Sequence, residues 1–156
     1  YYHHKKDIDT AISHISKAIS LNNNVPLWYA ELFKYYDVSD KPYKECLDIL
    51  EQNIEKVKKD IQAPKALVAL YNLDGSYDKA LQFLTSHKFR TWEGGRETYW
   101  SYVDANVLKA LELSNGGEYD QALTYLNDAM KYPENLEVGK PTHDEKNAMI
   151  YFFIGE

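Results

Sequence analysis

The residues best suited to chemistry lie between positions 92 and 102. Trp92-Glu93-Gly94-Gly95-Arg96-Glu97, followed by Tyr99, Trp100 and Tyr102, combines ring faces, two glycines and charges of both signs. Glycine lets a ligand approach the backbone closely, and rings of this kind stack on a sugar or a peptide. Trp92, Glu93, Gly94, Gly95, Arg96 and Tyr99 are therefore candidate ligand contacts. The competing reading is structural: Trp92 folds back as a plug between helical units, and the glycines only make the turn.

Other reactive residue types form no catalytic or metal-binding set. His3, His4, His14, His87 and His143 do not have metal-ligand spacing. No His-Glu-x-x-His, phosphate-loop lysine or Gly-x-Ser-x-Gly occurs. Cys46 stands alone, so no internal disulfide forms, and its place in a helical stripe reads as a small buried filler. Carboxylates are plentiful, but a helical surface offers no obvious deep pocket to raise the pKa of one of a pair. The expectation is a non-catalytic protein without metal or cofactor.

The 156 residues carry a net charge of −6. Nucleic acid and anionic membranes need clustered Lys and Arg to meet phosphates, so neither is an expected partner. Lys56, Lys58 and Lys59 do cluster, but Glu51, Glu55 and Asp60 lie among them, as on a solvated helix face. No apolar run approaches the ~20 residues needed to span a bilayer. Tyrosine is over-represented, with 14 copies. Its rigid ring and polar tip suit helix packing and recognition surfaces alike.

The elements that must position these residues show in a repeat. Ile8, Ala11, Ile15 and Ala18 align without gaps with Tyr43, Cys46, Leu50 and Asn53. Tyr77, Ala80, Leu84 and His87 follow, then Tyr119, Ala122, Leu126 and Ala129. The offsets trace one stripe of an α-helix. The small residue recurs at 11, 46, 80 and 122, in steps of 35, 34 and 42 residues. Two steps match a helix-pair repeat of about 34 residues, and the third is that length plus an eight-residue insertion holding the Trp92 segment. Asp74-Gly75-Ser76 and Asn115-Gly116-Gly117 supply tight turns before Tyr77 and Tyr119. First helices of each pair are predicted over 27–37, 64–73 and 97–114. Thr142-His143-Asp144-Glu145 reads as a capping box opening a further helix over 148–154. Pro133 stops the preceding helix.

Tyr77 and Ala80, and Tyr119, Ala122, Ala129 and Pro133, resemble the tetratricopeptide repeat family. The resemblance implies an all-α, right-handed superhelical solenoid with about three full helix pairs and a half unit at each end. Its units fall near 1–24, 25–61, 62–90, 97–133 and 142–156, the last cut short, so the chain is expected to be a segment of a longer protein. A narrower likeness joins Phe89-Arg90-Thr91-Trp92-Glu93-Gly94-Gly95, Tyr132-Pro133-Glu134-Asn135-Leu136 and Gly139-Lys140. It is similar to bacterial proteins in which such repeats follow an amino-terminal domain resembling sugar-processing β-sandwiches. The pattern there has Gly-Glu-Gly-Lys where this chain has Leu136-Glu137-Val138-Gly139-Lys140.

In tetratricopeptide phasing, a groove is lined by the first helices of each pair. Here that places Trp28, Glu31, Tyr35, Gln62, Lys65, Ala69, Asn72, Asp104, Val107 and Leu111 along it. A terminal-carboxylate clamp of the chaperone-adaptor kind needs more cations than Lys65 alone. The leading expectation is a protein-interaction or scaffolding module holding a protein or peptide, such as an upstream domain of its own parent chain. The alternative is a carbohydrate-binding accessory region with Trp92 as the stacking ring.

Overall fold

The structure, a computed structural model, describes residues 5–90, 96–139, 144 and 146–155. Its described residues are all-helical. The helices are α1 (Lys5–Leu21), α2 (Leu27–Asp37), α3 (Tyr43–Gln52), the single-turn α4 (Ile54–Val57) and α5 (Ala63–Leu73). They continue with α6 (Tyr77–Ser86), α7 (Arg96–Asn115), α8 (Tyr119–Ala129) and α9 (Lys146–Gly155), with a 3-10 turn at Glu134–Leu136. None is long and apolar enough to cross a membrane.

The helix boundaries follow local chemistry. Three helices, α3, α6 and α8, begin on the aromatic residue that leads a repeat segment. α7 ends in a Schellman arrangement: the Glu118 N–H donates to the Leu113 carbonyl at 2.9 Å, and the Gly117 N–H to the Ser114 carbonyl at 3.0 Å. Gly117 has φ +82°, a conformation that side chains disfavour. α5 opens with Pro64 in its first turn, where a missing N–H costs nothing. Asp60 Oδ1 accepts from the backbone N–H of Gln62 at 2.7 Å and of Ala63 at 2.8 Å, satisfying donors at that helix start.

The chain divides into two compact units, Tyr1–Asp74 and Gly75–Glu156. In the first, α1 packs on α2, α2 on α3 and α5, and α3 on α5. Cys46, Leu50, Leu32, Leu67 and Leu70 lie in its core. In the second, α7 packs against α6 and α8, and α9 lies on α8 and α7. Ala80, Leu84, Val103, Ala122, Leu126 and Ile150 are buried there. The small repeat residues Cys46, Ala80 and Ala122 are thus core contacts, each four residues ahead of a buried leucine.

Tyrosines hold neighbouring helices together. Tyr29, Tyr36, Tyr71, Tyr99 and Tyr102 are buried as rings, and each hydroxyl finds a partner on another element. Tyr29 Oη donates to the Asn23 carbonyl at 2.8 Å, and Tyr36 Oη to Glu45 at 2.8 Å. Tyr71 pairs with Glu51, and Tyr102 Oη donates to the Asp128 carbonyl at 3.1 Å. A buried phenol left without such a partner would cost about 1–3 kcal/mol. Much of the tyrosine excess is therefore a packing feature.

Two expectations change. The repeat stripe in α1 is displaced by one residue: Ile12 and Ile19 are buried, whereas Ala11 is half-buried. α1 meets α2 with the face one position along, about 100° around the helix. Tyr119, the leading aromatic of the fourth segment, is 65% exposed. It marks a helix start rather than a core position. α7 has 20 residues where α2 and α5 have 11 each, close to the 97–114 expected for it.

Candidate binding surfaces

In the first unit, α2 and α5 pack side by side and leave a mixed face half-exposed. Trp28, Glu31 and Tyr35 follow one stripe of α2, and Lys65, Ala69 and Asn72 one stripe of α5. All six are half-buried, as expected of residues at the margin of a core. Glu31 carries its own counter-ion, Lys34, at 2.6 Å. Gln62, just before α5, is also half-buried.

The second unit treats its predicted positions differently. Val107 is buried, so it belongs to the core rather than to a groove. Leu111 is exposed, and Asp104 Oδ1 is held by Lys146 at 2.5 Å. Arg96 is exposed at the start of α7. Trp92, Glu93, Gly94 and Gly95 lie outside the described residues.

Tyr99, expected among the ligand-facing rings, is instead only 2% exposed. Its ring stacks on Tyr132 with centroids 4.4 Å apart and 15° between planes. Its hydroxyl donates to Asp144 Oδ2 at 2.7 Å, and Tyr132 donates to the same oxygen. Asp144 Oδ1 accepts from the backbone N–H of Lys146 at 3.0 Å, where α9 begins. Burial pushes the Asp144 carboxyl up, but the bonds from Tyr132, Tyr99 and Lys146 and the charge of Arg96 outweigh this and hold it below its ordinary value. A stacking ring for a ligand is thereby absorbed into a joint between α7, α8 and α9. The capping box predicted at 142–145 lies partly outside the described residues, and within them Asp144 does the capping.

The two motifs from the narrower likeness meet in space. Asn135 Nδ2 donates to the carbonyls of Leu84 at 2.6 Å and His87 at 2.8 Å, where α6 ends. The Phe89 N–H returns a bond to the Asn135 carbonyl at 3.0 Å, and Lys88 pairs with Glu137 at 3.1 Å. Phe83, His87 and Phe89 form a ring cluster above this brace, and Leu136 is buried. Pro133 leaves the helix in an extended conformation, φ −60° and ψ 129°. The segment after it is a structural splint for the chain leading to Trp92. Sequence reading credited Pro133 with a helix stop but assigned no role to Asn135, because the partners are 48 and 51 residues away.

Cys46 is buried and free, and burial pushes its thiol up to about 12. It is a packing residue, not a nucleophile at neutral pH.

A feature that sequence reading missed lies between α1 and α3. Two clefts of about 500 and 600 Å³ share Ser16, Ser20 and Ile49 in their walls. One end is rich in carboxamides: Asn22, Asn23, Asn24, Gln52 and Asn53. The run of three asparagines, Asn22-Asn23-Asn24, is the signal visible in the sequence. Neither cleft is lined by Trp28, Tyr35, Lys65 or Asn72.

No family model and no solved structure matches the chain.

Proposed function

We propose that the protein is a binding and scaffolding module of helix-pair repeats, wound as a right-handed tetratricopeptide-like superhelix, and that it holds a protein or peptide. The observation that carries this reading is the packing of α2 on α5, with Trp28 and Tyr35 on a half-buried stripe of α2 and Lys65 and Asn72 on a half-buried stripe of α5. Aromatic rings with neighbouring polar groups are the usual composition of an interface centre. The packing order supports the repeat: a small residue of α3, α6 and α8 is buried in each case, at the spacing of helix pairs.

The carbohydrate alternative is the weaker one, since Tyr99 is taken up by Tyr132 and Asp144.

Selection of a displayed random-peptide library on the immobilised protein tests the proposal. A peptide family enriched on the wild type and lost on Trp28→Ala/Tyr35→Ala supports it. No enrichment, or enrichment indifferent to that double substitution, counts against it.

A further inference from the structure

The cleft between α1 and α3 is a second surface that shares no residue with the α2–α5 face. Its carboxamides are fixed from behind. Asn53 Nδ2 donates to the Ile49 carbonyl at 2.8 Å, so Asn53 Oδ1 must face Asn23. Asn23 Nδ2 donates to that oxygen at 3.1 Å, which leaves Asn23 Oδ1 as an acceptor. Lys56 donates to Asn24 Oδ1, so the Asn24 amide nitrogen is the group left over. The Asn24 backbone N–H donates to Asn22 Oδ1 at 3.1 Å, which leaves the Asn22 amide nitrogen in turn. Each assignment follows because an ammonium or N–H can meet only an oxygen, and a carbonyl only an N–H. The turn itself is pinned by Tyr29 Oη on the Asn23 carbonyl.

The result is a preset array on one wall: two donors, on Asn22 and Asn24, and one acceptor, on Asn23. Gln52 adds a carboxamide with no hydrogen bond among the described residues. We propose that this cleft binds an extended polypeptide segment through its backbone. An extended chain carries unpaired N–H and C=O groups in alternation and needs partners of both kinds, whereas a docked helix has already satisfied its own. The lining lacks a ring face on which a sugar could stack. Tyr36, the aromatic in the wall, is buried with its hydroxyl on Glu45. At the far end Asp9 and Lys41 face each other at 3.7 Å, so no net charge selects a charged ligand. From Asp9 to Ser20 the wall of α1 is about 16 Å long at ~1.5 Å per residue, which matches about five residues of extended chain.

The test selects displayed random hexapeptides on the Trp28→Ala/Tyr35→Ala protein, so that failure of the α2–α5 surface does not mask or mimic the result. The best peptide is then measured by fluorescence anisotropy. Ser20→Arg places a long side chain at the exposed position common to both clefts. Binding is expected to weaken at least tenfold with the melting temperature unchanged. N-methylation of two central peptide amides is expected to weaken it by a similar factor, while alanine at single peptide positions changes it less than threefold. Should Ser20→Arg lower the melting temperature, Gln52→Ala carries the same test, with a loss of at least threefold. The proposal is overturned if no peptide is enriched, if binding ignores both substitutions, if the N-methylated peptide binds as well, or if maltohexaose rather than peptide shifts the asparagine side-chain resonances.

Discussion

Tyr99 and Asp144 are separated by 45 residues in the chain and by 2.7 Å in space. That hydroxyl–carboxylate bond, shared with the stacked Tyr132, joins the middle of the second unit to the start of α9. Removing the carboxylate takes the shared acceptor from two phenol hydroxyls at once, leaving Tyr99 Oη the longer 3.4 Å bond to the Ala129 carbonyl. Asp144→Ala is expected to cost about 2–3 kcal/mol, and Tyr99→Phe about 1 kcal/mol. In a unit of this size each kcal/mol lowers the melting temperature by roughly 4–8 °C, measurable by circular dichroism.

The same carboxyl predicts a pH dependence. Its folded pKa lies below the ordinary value of 3.8, so the folded state holds the ionised form more strongly than the unfolded chain does. The stabilisation is fully present above that ordinary value and is lost as pH falls through the lower folded value. The melting-temperature gap between wild type and Asp144→Ala should therefore be constant from pH 5 to 7, on the scale set by ordinary carboxylates. It should narrow below about pH 3.5. A gap that widens on acidification would reverse the sign of the account.

The repeat register makes a paired prediction. Ala122 is a core contact of α8, whereas Tyr119 of the same segment is largely exposed. Ala122→Leu should cost about 1–3 kcal/mol by overpacking. Tyr119→Ala should stay within about 0.5 kcal/mol of wild type, as surface substitutions do. Equal effects would remove the basis for the alignment.

Asn135 closes the end of α6 with two bonds to backbone carbonyls. Asn135→Ala is expected to cost about 1–2 kcal/mol. It should also speed hydrogen exchange at the Phe89 amide, whose acceptor is the Asn135 carbonyl.

Cys46 offers a check on core integrity. With its thiol pushed up to about 12 and no exposure, it should resist a disulfide reagent at pH 8 in the folded protein. Guanidinium should release reaction at one equivalent per chain.

Helix positions were legible because turn chemistry and apolar period agree locally. Leu27–Asp37 falls where the pattern puts it, and Pro64 sits in the first turn of its helix. The long α7 was legible as well, expected over 97–114 and observed at Arg96–Asn115. Tyr99 shows the limit. A tyrosine beside tryptophans suits a ligand surface and a packed joint equally, and only Asp144, far along the chain, decides between them. The α1–α3 cleft was hidden for the same reason: its array depends on Asn53 and Lys56 reaching the Asn22–Asn24 turn from another helix.

The central claim is that the α2–α5 face holds a polypeptide, and the indole N–H resonance of Trp28 reports on it most directly. Titrating 15N-labelled protein with a peptide enriched on the wild type should shift that resonance and the backbone amides of Tyr35 and Asn72 along one saturating curve. A peptide that binds while Trp28, Tyr35 and Asn72 stay fixed would contradict the account.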